Sequence, residues 1–191
     1  MGGDAGVTGT RRVVSRDQVV RGGCRFFLRH GTVDMERLAA VLSISRATLY
    51  RVVRSRDVLL ADVLWLLGER TLAQARRERR STGADGVLEV TRLFVGRLRE
   101  SEPFRAFLLA EPDTAARVLF HASCGVHRRV VLAQKEILLE AHAAEEPSAA
   151  LDQIAFLYVR IVESEVYAEL LGGEPVDPEL AERATRAVLP R

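Results

Sequence analysis

A chain of 191 residues suits one domain, or a small domain joined to a larger one, and 48% hydrophobic content is enough for a real core. No apolar run reaches the roughly eighteen residues that a membrane-spanning helix needs. Net charge is only +2, yet residues 1–60 hold eleven Arg against five acids while residues 61–191 hold seventeen basic against twenty-one acidic residues. A basic end on a mildly acidic body points to a polyanion partner at that end. The chain uses Arg almost to the exclusion of Lys, whose one copy is Lys135. That bias accounts for the identity of the basic residues better than for their segregation.

Few segments alternate with period two, and Ala, Leu, Arg and Glu dominate, so the expected fold class is all-α. The expected organisation is a flexible basic arm over 1–14, a small helical unit over 15–60 and a larger helical body over 61–191. The spacing predicts a first helix over 15–29, with Val19, Val20, Gly23, Phe26 and Phe27 on its apolar face. Ser15 and Gln18 form a capping-box pattern at its start, and Gly31 stops it. Gly22 and Gly23 cost about 1 kcal/mol each inside a helix, which suggests that they permit close packing.

A second helix fits 34–41 with Asp34 as N-cap, and Leu38, Ala39 and Leu42 face inward. A turn over 42–44 leads to Ser45, which caps a third helix over 46–52. Ser55 caps a fourth over 56–80, with Asp57 in its first turn, where the helix dipole favours an acid. Further helices fit 85–99, 103–109, 112–121, 126–144, 148–171 and 178–189. The last has Asp177 as cap and Pro178 at its first position. There is no internal repeat. Cys24 and Cys124 sit in apolar helical context and read as buried thiols in a reducing compartment; no signal peptide is read, and the expected location is cytoplasmic.

Two short helices joined by a tight turn, the second capped by Ser45, form a helix-turn-helix. Leu38, Ala39, Leu42, Ile44 and Leu49 supply its apolar hinge. The outer face of the third helix carries Arg46, Thr48 and Arg51, the residue types that read base edges in the major groove. This stretch resembles the tetracycline-repressor-like (TetR) family of bacterial transcriptional regulators. The resemblance rests on Gly31, Leu38-Ala39, Ile44-Ser45, Ala47-Thr48-Leu49-Tyr50 and Ser55-Arg56-Asp57 followed by Leu59. It covers residues 15–64. The chain departs from the pattern at Ser43 (usually Gly), Arg51 (His or Tyr), Val53 (Phe) and Arg56 (Lys). The tail from Ile154 onward is similar to a QsdR-like subgroup of actinobacterial regulators linked to lactone quorum signals.

The resemblance implies a homodimer that binds a palindromic operator in double-stranded DNA and answers to a small-molecule effector, in this subgroup a lactone-like one. Arg46, Thr48 and Arg51 are the candidates for base contact. Ser45, Tyr50, Arg54 and Arg56 are candidates for phosphate contact, and Arg11 and Arg12 either follow the adjacent groove or belong to a solvated arm. The role carried over for Tyr50 is a phosphate hydrogen bond from its hydroxyl.

An effector pocket among the middle helices has Trp65, Phe94, Phe104, Phe107, Phe120 and Phe156 as apolar candidates and His121, His127, Tyr158 and Arg160 as polar ones. For each of them, plain core packing is an equal alternative. Arg160 either faces an oxygen-rich ligand group or pairs with Glu163 or Glu136, and the acids Glu163 and Glu165 read as a solvated or interface edge. The dimer seam is expected on the long helix over 148–171, at Ile154, Leu157, Ile161, Ala168 and Leu171, with Leu180 and Ala184 added from the last helix.

No Gly-rich phosphate loop, nucleophile elbow or HExxH is present, so no enzyme is expected. His121, Cys124 and His127 can be drawn as a metal site, but they straddle a Gly-containing break and are too few; no metal or cofactor is expected. The reading is a ligand-responsive regulator, for which the resemblance implies a repressor released from its operator by a small apolar or amphipathic effector. The competing reading is a DNA-binding protein whose body only dimerises or senses a protein partner.

Overall fold

The computed structural model describes residues 14–121, 123–141, 149–172 and 174–189. Among these the chain is all helical. The small N-terminal unit holds α1 (Arg16–His30), α2 (Met35–Val41) and α3 (Arg46–Val53), and α4 (Arg56–Glu78) leads out of it. The larger body adds α5 (Gly83–Glu100), α6 (Glu102–Ala110), α7 (Pro112–Phe120), α8 (Val126–Glu140), α9 (Ala149–Val166) and α10 (Pro178–Val188), with a 3-10 turn at Glu169–Leu171.

The N-terminal unit closes through small residues. The Ser15–Gln18 capping box is formed in both directions. A Cβ on Gly22 would meet Leu42 Cδ2 at 2.6 Å, and one on Gly23 would meet Val63 Cγ2 at 2.8 Å. The two glycines therefore let α1 lie against both the α2–α3 turn and α4. Gly31 ends α1 in the left-handed region, and α6 packs so close that a Cβ there would sit 3.2 Å from Ala106 Cβ.

The α2–α3 turn is a Schellman ending. Ile44 N–H donates to Ala39 C=O and Ser43 N–H to Ala40 C=O, each over 3.0 Å. This geometry demands a left-handed residue, and Ser43 fills it at φ 54° where glycine is the unstrained choice. The α3–α4 link is tighter still. Arg54 has φ 71° and ψ −57°, and Ser55 N–H donates across it to Val53 C=O over 2.9 Å. That is a γ-turn of the rare, positive-φ kind.

The hydrophobic interior forms two clusters. The first joins the N-terminal unit to α6 and α7 and includes Phe27, Leu49, Val53, Leu59, Phe107 and Val118. The second lies deeper in the body among α5, α8, α9 and α10, and includes Val90, Ile137, Leu138, Leu151 and Tyr158. The helix α4 contributes Leu59, Leu60, Ala61, Val63 and Leu64 to the first and Ala75 to the second.

Three expected helix ends move. The fourth helix stops at Glu78 and the eighth at Glu140; past the latter, Ala141 C=O accepts from Gly83 N–H. The long ninth helix stops at Val166 instead of 171. Tyr167 leaves the helical path to pack edge-on against Phe104 and Phe120, with ring centres 6.3 and 5.4 Å away.

Candidate nucleic-acid interface and internal cavity

The outer surface of α3 carries Arg46, Arg51 and Tyr50 exposed, with Arg54 exposed at its end. Buried Leu49 and Val53 fix the opposite face in the first core. Ser45 Oγ accepts from Thr48 N–H over 3.1 Å, and the two hydroxyls lie 2.9 Å apart. Ser45 and Thr48 are thus held together at the N-terminus of α3 and share one hydroxyl hydrogen bond. Arg46 lies 3.5 Å from Glu36 in an exposed pair, which solvent leaves weak and exchangeable. Arg11 and Arg12 lie outside the described residues.

Arg56 departs from its expected outward role. Its guanidinium donates to Val33 C=O over 2.7 Å, to Thr32 Oγ1 over 2.8 Å and to Glu111 Oε1 over 2.6 Å. Thr32 also donates to Glu111. The physical reason is local. Glu111 sits in the short break between α6 and α7, beside the first turn of α4, and an arginine fork satisfies it better than a distant phosphate. The Arg56 and Thr32 hydrogen bonds hold the Glu111 carboxyl below its ordinary range, with partial burial opposing them.

Acids on α4 tie it to its neighbours. Arg117 donates to Asp57 over 2.7 Å. Asp62 accepts from Arg16 of α1 over 2.6 Å and from Arg129 of α8 over 3.1 Å. Farther along, Arg76 pairs with Glu136 and Glu140, and Glu78 with Arg97.

A cavity of about 390 Å³ opens between the two cores. Trp65, Phe94, Phe104 and Tyr158 line it as expected, joined by Phe27, Tyr167 and aliphatic side chains. Six other candidates are off its wall. Phe107 is wholly buried in the first core, edge-on to Phe27. Phe120 packs edge-on against Tyr167, and His121 is exposed and bonded to Ser123. Phe156 points outward at 47% exposure, with its ring against His127. His127 Nδ1 donates to Glu163 over 2.8 Å, and Arg160 donates to the same carboxylate over 2.7 Å. Arg160 is therefore paired with Glu163, while Glu136 pairs with Arg76.

Glu163 is a cavity-wall residue at 6% exposure, not a solvated edge. Glu165 is also largely covered; burial pushes its carboxyl up, with Arg99 opposing. Periodicity gave no sign of either, because their cover depends on neighbouring helices, which bring His127 to Glu163 and Arg99 to Glu165. Sequence reasoning also passed over Gln134 and Arg97, which line the cavity. The Tyr158 hydroxyl shares a 2.7 Å hydrogen bond with Thr91, and burial pushes its pKa up to about 12.

The expected dimer residues divide. Leu157 and Leu180 are about half exposed. Ile161 and Ala184 are half-buried, and Ile154 packs in part against the second core. Ala168 is buried at 8% in the turn after α9, so it faces its own subunit and leaves the seam. Leu171 lies in the 3-10 turn beyond α9, off the expected helical stripe. Among the described residues no group of three or more His, Cys, Asp or Glu is placed to hold a metal, and no helix is long and apolar enough to cross a membrane.

Residues 82–190 match the family described as "Tetracyclin repressor-like, C-terminal domain". The fold superimposes on the transcriptional repressor QsdR of R. erythropolis with a TM-score of 0.81 at 27% identity, over 92% of this chain and 95% of that one. A tetR-family transcriptional regulator from Streptomyces coelicolor superimposes with a TM-score of 0.53 at 20% identity, over 91% of this chain and 80% of that one. No curated protein matches the chain in sequence.

Proposed function

Because the chain belongs to the tetracycline-repressor-like family, a class of ligand-responsive DNA-binding regulators, we propose that it is a dimeric repressor released from a palindromic operator by a small apolar or amphipathic effector. The observation that carries this reading is the position of the cavity. It lies between the core that holds α3 and the core of the body, and α4 runs past it from one to the other. A molecule entering there contacts both units at once. It shifts DNA affinity by as much as its own affinity differs between two settings of the N-terminal unit.

In this reading Arg46, Thr48 and Arg51 meet base edges, and Ser45, Tyr50 and Arg54 hold phosphates. A two-fold dimer sets its two third helices about 34–36 Å apart in successive major grooves. Two things support repression over activation: the activity named for the R. erythropolis relative, and the simplicity of blocking by occupancy.

The test is a mobility shift on the DNA upstream of the protein's own gene, followed by addition of apolar and amphipathic metabolites, lactones among them. Release of the fragment by a compound that also binds the free protein is the expected result. A fragment that never shifts at moderate salt sinks the DNA reading. A shift indifferent to every compound that enters the cavity favours a regulator whose body only dimerises or senses a protein.

A further inference from the structure

We propose that the cavity selects an uncharged amphiphile, whose one acceptor oxygen is read by the side-chain amide of Gln134, and that it rejects acids and amines of the same length. The proposal rests on the cavity being the effector site. Gln134 lies midway along α8, on the cavity wall, at 7% exposure. Its amide nitrogen has no hydrogen-bond partner in the protein. A buried donor left without a partner opposes folding, and a bound acceptor removes that penalty. The unpartnered atom is the nitrogen, so the amide presents an N–H donor to whatever fills the cavity.

The charges on the wall are already balanced. Arg97 is paired with Glu78, and its Nη1 is buried with no partner of its own. Glu163 is paired with Arg160 and bonded by His127. Glu69 and Arg70, adjacent and of opposite sign, are exposed. A carboxylate or ammonium brought among Trp65, Phe94, Phe104 and Tyr167 would therefore lose its hydration, and the wall charges outside these pairs, Glu69 and Arg70, are exposed to solvent. A neutral carbonyl keeps the balance and accepts from the Gln134 amide; Arg97 Nη1 is a further unpartnered donor among the lining residues. The remaining wall is aliphatic and aromatic, which suits an alkyl chain.

Trp65 is the only tryptophan in the chain and lines this cavity, so its fluorescence reports occupancy without DNA. The experiment titrates the full-length protein at neutral pH with methyl decanoate, decanoate and decylammonium. A saturable change with the ester is expected, at an affinity at least about tenfold above either ion. Gln134→Leu should lose about tenfold in ester affinity while melting at the same temperature or higher, since an unpaired amide gives way to an apolar group. Decanoate binding as well as the ester overturns the proposal. So does an unchanged ester affinity in a folded Gln134→Leu protein, or no saturable response to the ester. If the ester binds with the expected selectivity but leaves the operator fragment bound, the selectivity stands and the effector reading falls. If decanoate releases the operator, the effector reading stands and the selectivity falls.

Discussion

Arg56 Nη2 donates to Glu111 Oε1 over 2.6 Å and so joins the first turn of α4 to the break between α6 and α7. The contact sits where the N-terminal unit meets the body, with Thr32 as a third member. The Glu111 carboxyl is held below its usual range, first by the Arg56 hydrogen bond. A depressed folded pKa stabilises the protein above the unfolded value, about 4.3 for Glu, and that stability is lost as pH falls through the folded pKa. Glu111→Gln should therefore lower the melting temperature at neutral pH. The wild-type and variant curves should converge as the pH is taken well below the ordinary carboxylate range. Melting curves from neutral to acid decide it, and a constant gap between the two proteins counts against the linkage.

The Schellman turn yields a simpler change. A non-glycine residue in the left-handed region costs about 1–2 kcal/mol, and a new glycine gives back about 0.4–1 kcal/mol through the unfolded chain. Ser43→Gly should thus stabilise by about 0.5–1 kcal/mol, with Ser43 exposed and its φ unchanged at 54°. Urea denaturation with an unchanged slope is the measurement. A destabilised variant would mean that the Ser43 side chain contributes something its exposed position does not suggest.

Specific and general DNA contacts should separate. Arg46→Ala or Thr48→Ala is expected to cost about 1–3 kcal/mol and to relax preference at one base position per half-site. Arg54→Ala should weaken all sequences together. Arg56→Ala should act differently from Arg54→Ala, because its guanidinium already binds Val33, Thr32 and Glu111. Its effect should fall on stability and induction. Competition binding across operator variants, repeated over a salt series, separates these outcomes. A salt slope reduced by Arg56→Ala as much as by Arg54→Ala would return Arg56 to the phosphate contacts.

The dimer test follows the exposed apolar side chains. Phe156 and Leu157 are adjacent on α9 at 47% and 50% exposure. Changing both to Glu should leave helical content intact, weaken the dimer and remove most operator affinity. Equilibrium sedimentation beside circular dichroism reads this directly. A double variant that still sediments as a tight dimer places the seam elsewhere on the body.

Local signals are legible in the sequence, and signals that depend on assembly are not. The caps Ser15, Asp34, Ser45, Ser55 and Asp177 all bond the backbone donors expected of them, since a cap needs only its own chain neighbours. Ser43 was already visible as a departure at the turn, but its strain needed a backbone angle. Trp65, Phe94 and Phe104 are expected from their apolar aromatic character and Tyr158 as a polar contact, and neither property can tell a cavity wall from a core. That is why Phe107 was included with them. Gln134 carried no signal at all: one amide on an amphipathic helix reads as surface until α9 and α4 pack beside α8. The exit of Tyr167 from α9 was hidden for the same reason, because the apolar stripe runs on past Val166.

The helix α4 belongs to two interiors, and its amide protons should record this. Leu59, Leu60, Ala61, Val63 and Leu64 are locked into the core that holds the N-terminal unit, Ala75 into the other, and the intervening turns face the cavity through Trp65, Leu67, Gly68, Thr71 and Leu72. Backbone hydrogen bonds beside an empty space open at lower free energy than those beside packed side chains. Native-state hydrogen exchange along this one helix should then show two slow segments separated by a faster middle. A molecule that fills the cavity should slow that middle first, so that two separately protected segments come to open as one.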